Sequence, residues 1–126
     1  MRDLSKTYVV VGPDHSAVPI DVTPTIWQEL DRQFDGFKGR LLIATFHFER
    51  DWPTWEVHPQ GDEIVVLLSG TADMVFDENG THRVATLAKC GEYVIVPKGT
   101  WHTARIAAPT SMLFITPGQG TENRSV

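Results

Sequence analysis

The stretch "EVHPQGDEIVVLLSG", residues 56–70, sets the reading of the whole chain. Its second half is an aliphatic run closed by Ser-Gly, the pattern of a buried β-strand. Side chains alternate faces along a strand, so Glu56 and His58 point to one side of theirs. The Pro59-Gln60-Gly61 turn lets the chain reverse, and the next strand returns Glu63 to the same level. With Glu63 facing the same way, Val65 and Leu67 follow it inward, and Ile64, Val66 and Leu68 lie on the outer face. A strand that is apolar on both faces is covered on both. The expected outer cover is another sheet, either the N-terminal strand of the same chain or a second subunit, and a homodimer is expected.

Similar strands follow in both directions. From Arg40 onward short β-rich runs recur about every ten residues: "RLLIATFHF", "TWEVH", "EIVVLLSG", "TADMVF", "THRVATL", "EYVIVP", "HTARIAA" and "SMLFIT". Turn residues separate them, among them Asn79-Gly80, the strongest short-range hairpin signal. Many short strands at even spacing predict a β-sandwich or small barrel. One segment reads as a helix, "TPTIWQELDRQF": Thr23 is the expected N-cap, Pro24 the first helical residue, and Ile26, Trp27, Leu30 and Phe34 recur at helical spacing. Gly36 and Gly39 are expected to end it. Residues 1–126 are thus expected to form a single domain, with a strand core at about 40–116. An N-terminal strand and the helix fall in 1–39, and a loose tail in 117–126.

Composition narrows the partners. A chain of 126 residues with 41% hydrophobic and 21% charged residues is an ordinary globular domain. Its net charge of −5 and scattered Lys and Arg argue against nucleic acid, which needs clustered cations. No apolar stretch approaches the roughly 20 residues of a membrane span. "MRDLSKTYVVVG" lacks the apolar core and cleavage site of a signal peptide. The single cysteine, Cys90, is expected as a small buried turn residue, and with no disulfide to form, the expected location is the cytoplasm.

Two segments carry chemistry: Glu56-x-His58-x(4)-Glu63-x(6)-Gly70, and Gly91-x(5)-Pro97-x-Gly99-x(2)-His102. Donors at i and i+2 on one strand can share an ion, and Pro97 and Gly99 shape a turn that brings His102 across to them. Imidazole with carboxylate suits a divalent transition metal such as Fe, Mn, Zn or Ni. Without a cation, two carboxylates would stand in a poorly hydrated interior at considerable cost. Together the segments resemble the two motifs of the cupin superfamily, G-x(5)-H-x-H-x(3,4)-E-x(6)-G and G-x(5)-P-x-G-x(2)-H-x(3)-N. Three positions depart from them: Arg50 replaces the first glycine, Glu56 the first histidine, and Ile106 the asparagine.

The resemblance implies an all-β fold, an antiparallel jelly-roll barrel with one short N-terminal helix. It also implies one metal ion held by Glu56, His58, Glu63 and His102, with a small organic molecule bound inside the barrel. The function expected is that of a metal-dependent oxygenase or isomerase, or alternatively of a non-catalytic binding or sensing protein. Glu56 has two open roles. As fourth ligand it makes a neutral two-carboxylate site; standing beside a His58, Glu63 and His102 site it can act as a general base. Trp52, Trp55 and Trp101 flank the two segments and are candidates for the substrate pocket, as is His47. His82 is expected to be exposed, and Arg105 to face out.

Overall fold

The computed structural model describes residues 1–126 and contains eleven strands in two antiparallel sheets with one α-helix. The strands are β1 (Thr7–Val11), β2 (Ala17–Asp21), β3 (Leu41–Phe48), β4 (Thr54–Val57), β5 (Glu63–Ser69), β6 (Ala72–Glu78), β7 (Thr81–Leu87), β8 (Tyr93–Val96), β9 (His102–Arg105), β10 (Thr110–Thr116) and β11 (Glu122–Ser125). The helix α1 spans Ile26–Gln33. One sheet runs β2-β1-β3-β10-β5-β8, and the other β11-β4-β9-β6-β7. The arrangement is an all-β jelly roll: the strand pattern predicted a β-sandwich or small barrel, and the family resemblance implied the jelly roll. The Asn79-Gly80 hairpin forms with both residues at positive φ (56° and 86°), as a type I′ turn requires.

The alternation read in the aliphatic run is observed. Glu63, Val65 and Leu67 of β5 are buried inward. The inward residues of β5 meet those of β6, β9 and β10 in a core that includes Met74, Phe76, Ala104, Met112 and Phe114. A second cluster joins Ile26 and Leu30 of α1 to Tyr8 and Val10 of β1 and to Leu42 and Ala44 of β3. Through that contact α1 packs on the inward face of the six-stranded sheet. Burial of the two faces supplies the driving force, at about 25 cal/mol per Å² of apolar area.

Several expectations need correction. The helix begins at Ile26 with Thr25 as N-cap, two residues later than the Thr23-Pro24 reading, and Thr25 makes no side-chain capping bond. The chain beyond it passes through a one-turn 3-10 helix, Asp35–Phe37, with Gly36 at φ 63°. The N-terminal segment holds a hairpin of two strands rather than one strand, with Pro19 tolerated because β2 is an edge strand. That hairpin extends the sheet beside β3 and does not lie across the outer face of β5. Residues 117–126 are no loose tail: β11 pairs with β4 from Glu122↔Val57 to Ser125↔Thr54. Cys90 is exposed.

Candidate metal centre and cavity

Glu56 on β4 lies directly opposite His102 on β9. His58 follows β4, and Glu63 opens β5 after the Pro59–Gly61 turn. The Gly99 amide donates to the His58 carbonyl at 3.0 Å, which ties the two loops to each other. Glu56, His58 and His102 each bring a donor atom within 4.8 Å of the others. The Nε2 atoms of His58 and His102 each lie 3.2 Å from a Glu63 oxygen, and His58 Nε2 lies 3.9 Å from Glu56 Oε2. Donors bound to one ion at 2.0–2.2 Å stand about 3.0–3.4 Å apart. The four residues that the two sequence segments singled out do come together.

The outer nitrogens of the imidazoles fix their tautomers. His102 Nδ1 lies 3.1 Å from the Thr100 carbonyl, which can only accept, so Nδ1 carries a proton. His58 Nδ1 lies 2.8 Å from Thr121 Oγ1, whose own hydrogen goes to the Gly118 carbonyl at 2.9 Å. Nδ1 of His58 is therefore also the donor. In the neutral rings each Nε2 then offers only a lone pair, 3.2 Å from a Glu63 oxygen, and neither approach has the alignment of a hydrogen bond. Indeed His58 Nε2, His102 Nε2 and Glu63 Oε1 are buried without any hydrogen-bond partner. Lone pairs facing a carboxylate repel unless a proton or a metal cation lies between them. The donor set fits a divalent ion. Thr116 Oγ1 donates to the other Glu63 oxygen at 2.6 Å and holds that carboxylate in place.

Without the ion, protons take part of its role. Burial acts to raise the Glu63 pKa, but the imidazoles of His102 and His58 outweigh it and hold the carboxyl at about 2. Burial likewise disfavours the His102 cation, yet Glu63, the Thr100 carbonyl and Glu56 move its pKa upward. Glu56 is pushed up by burial first and by the Glu63 charge second, partly offset by His102 and His58.

A cavity of about 1150 Å³ opens beside Glu56, His58 and Glu63 and reaches to α1 at Trp27 and Leu30. Its wall includes Phe46 and Phe48 of β3, Phe114 of β10 and Trp52. Trp55 and Trp101 do not line it. With Glu56 and His102 facing inward, strand alternation turns their neighbours out: Trp55 lies 5.1 Å from the His82 ring, and the Arg124 guanidinium covers Trp101 at 4.4 Å. His47 borders the cavity, but its imidazole bonds Ser111 Oγ (2.9 Å) and Glu49 (3.0 Å). Of the three tryptophans that flank the two segments in the sequence, only Trp52 lines the cavity. Sequence reasoning missed Thr116 and Thr121, which carry no signal of their own.

Comparison with known proteins places this geometry. Residues 45–116 match the family model of the cupin domain. A search of curated proteins finds no match. Among solved structures, an oxalate oxidase superposes with a TM-score of 0.54 at 16% identity, over 64% of this chain and 44% of that one. A cupin-2 domain protein of Shewanella frigidimarina NCIMB 400 gives 0.50 at 21% identity, over 67% and 71%. Oxalate decarboxylase of Bacillus subtilis, a protein with Mn(II) centres, gives 0.55 at 21% identity, over 68% and 24%. The chain spans less than half of the oxalate oxidase and about a quarter of the decarboxylase. At these identities the likeness is one of fold.

Proposed function

The chain belongs to the cupin family, and on that premise we propose that it is a metal-dependent protein acting on a small organic molecule inside its barrel. Glu56, His58, Glu63 and His102 would hold one divalent transition ion. The observation that carries this reading is the convergence of three buried, unpartnered donor atoms, His58 Nε2, His102 Nε2 and Glu63 Oε1. A bound ion would supply Lewis acidity to oxygen atoms of the substrate, the chemistry of an oxygenase or isomerase. The chain's own residues supply the rest. Thr121 and the Thr100 carbonyl orient the two imidazoles, Thr116 orients Glu63, and the aromatic wall keeps water from the bound molecule.

Glu56 is the fourth ligand in this reading, supported by its carboxylate oxygen lying within 4.8 Å of both imidazole donors. Its raised pKa and its place in the cavity lining favour a second role, in which it exchanges a proton with the substrate. Elemental analysis of the purified protein tests the core of the proposal. About one transition ion per chain is expected, lost in His58→Ala and His102→Ala. A protein that takes up no ion after exposure to Mn, Fe, Ni and Zn would refute it.

We infer also that two copies pair through the outer face of the six-stranded sheet. Across that face Val9, Ile43, Ile115, Ile64 and Ile95 lie side by side on five successive strands. Tyr93 is 62% and Ile95 51% exposed, and so continuous an apolar row fits the self-complementary patch of a twofold dimer.

A further inference from the structure

The cavity also carries information about the molecule it takes. Phe46 and Phe48 point inward from β3, yet both stay partly exposed, because the cavity rather than packed core lies in front of them. Their neighbours complete a ring-lined wall. Phe46 and Phe114 have centroids 5.3 Å apart, Phe48 and Trp52 5.4 Å, and Trp52 and Phe114 5.9 Å. Apolar surface left facing water inside a cavity is unfavourable, and a flat apolar ligand removes that cost.

Trp52 adds a polar instruction. Its main-chain amide donates to the Ala104 carbonyl at 3.0 Å, and the adjacent Asp51 carboxylate accepts from the Ile106 amide at 2.6 Å, so the residue is held in place. Trp52 is 8% exposed, and its indole N–H, itself shielded from solvent, has no partner in the protein. A buried donor without an acceptor is costly, and because Trp52 lines the cavity, a ligand whose acceptor reached the indole edge would remove that cost. Trp52 also lies edge-on to His102 at 6.1 Å, so that acceptor would sit near the metal ligands.

The charge of the lining sets the remaining property. Five acidic residues, Asp31, Glu49, Asp51, Glu56 and Glu63, border the cavity against a single Arg or Lys, Arg50. A bound ion would offset Glu56 and Glu63, but Asp31, Glu49 and Asp51 still outnumber Arg50, so a small dianion would meet repulsion there and leave most of 1150 Å³ unfilled. We propose that the ligand is an uncharged, ring-bearing molecule, its ring against Phe46, Phe48 and Phe114 and its carbonyl-type oxygen accepting from Trp52 Nε1–H. This deepens, and rests on, the reading of the cavity as the substrate site.

The test uses four probes on metal-loaded and metal-free protein, with binding followed by calorimetry: 2-acetylnaphthalene, 2-ethylnaphthalene, 2-naphthoate and oxalate. The ketone should bind one per chain in both forms. It should bind more tightly than the ethyl compound by up to about tenfold, the worth of one neutral hydrogen bond. That advantage should vanish in Trp52→Phe. In metal-free protein the naphthoate should bind more weakly than the ketone. Phe48→Leu, which keeps the apolar bulk, should weaken both neutral ring probes about three- to tenfold and leave their ratio intact. Oxalate binding more tightly than the ketone, ring probes that fail to bind either form, or a ratio unchanged in a folded Trp52→Phe would each overturn the proposal. Ring binding in a protein that takes up no metal would sink the metal reading alone. Metal uptake without ring binding would sink this inference alone.

Discussion

Glu56→Gln should move the protein in opposite directions with and without metal. Without metal, Glu56 is a carboxylate whose pKa is raised by burial and by Glu63. A raised carboxyl pKa means that the ionised group opposes folding at neutral pH, and the opposition disappears below its unfolded value of about 4.5. The neutral amide should therefore raise the metal-free melting temperature at pH 7.5 and leave it unchanged below pH 4. With metal the sign reverses, because the variant lacks a charged ligand.

The size of the metal effect follows from chain length. At about 2.1 cal/mol/K per residue, 126 residues unfold with an entropy of about 0.26 kcal/mol/K, so 1 kcal/mol shifts the midpoint by about 4 °C. Metal at a hundredfold excess over its Kd stabilises by about 2.7 kcal/mol, hence about 10 °C in the wild type. An affinity lower by tenfold leaves about 5 °C at the same metal concentration, and one lower by a hundredfold about 1.5 °C. Differential scanning calorimetry of both proteins, in chelator and in Mn(II), reads all four midpoints. A variant that keeps the whole 10 °C increment would refute Glu56 as a ligand and leave it as the proton-exchanging group.

Three further outcomes are expected. Gly70 has φ +81°, and a Cβ there would meet the Pro109 carbonyl and Thr110, whose Cα would lie 2.8 Å away; Gly70→Ala should cost about 3 kcal/mol or more, read as a drop in the denaturant midpoint, and a change under 1 kcal/mol would contradict the crowding. In chelator, the Glu63 pair stabilises above about pH 4.5 and is lost as pH falls toward 2, whereas the raised His102 stabilises below about 6.5 and is lost as pH rises through its shifted value. The metal-free midpoint should therefore peak near pH 4.5–6.5 and fall toward pH 8, and a steady rise from pH 6 to 8 would contradict it. Ile95→Glu, at an exposed position in the outer apolar row, should halve the mass seen by size-exclusion chromatography with light scattering; a wild type already running as one chain would remove the dimer.

How much of this was legible in the sequence depended on whether burial and secondary structure spoke together. From β3 to β10 the strands are short β-rich runs separated by turn residues, so both signals agree, and the eight runs read from the sequence are the eight strands observed. The convergence of Glu56, His58, Glu63 and His102 was legible for the same reason, since their spacing is a strand and turn pattern. Signals failed where pairing alone makes the strand. β11, "ENRS", is exposed at all four residues and forms only because β4 offers it an edge, so no hydrophobic pattern announces it. Yet that segment places Thr121 on His58, and with it sets the tautomer of that imidazole. The alternation that exposes the Trp55 error was already in the sequence: once Glu56 and His58 face inward, Trp55 between Thr54 and Glu56 must face out. The cavity was hidden for a deeper reason. Alternation shows only that Phe46 and Phe48 share a face opposite His47; which face is inward, and whether an inward ring is core or cavity wall, depends on how far α1 and the second sheet fill the space before it. That is a property of packing among elements distant in the chain, and it is why the aromatic cavity wall at Phe46, Phe48, Trp52 and Phe114 appears only in three dimensions.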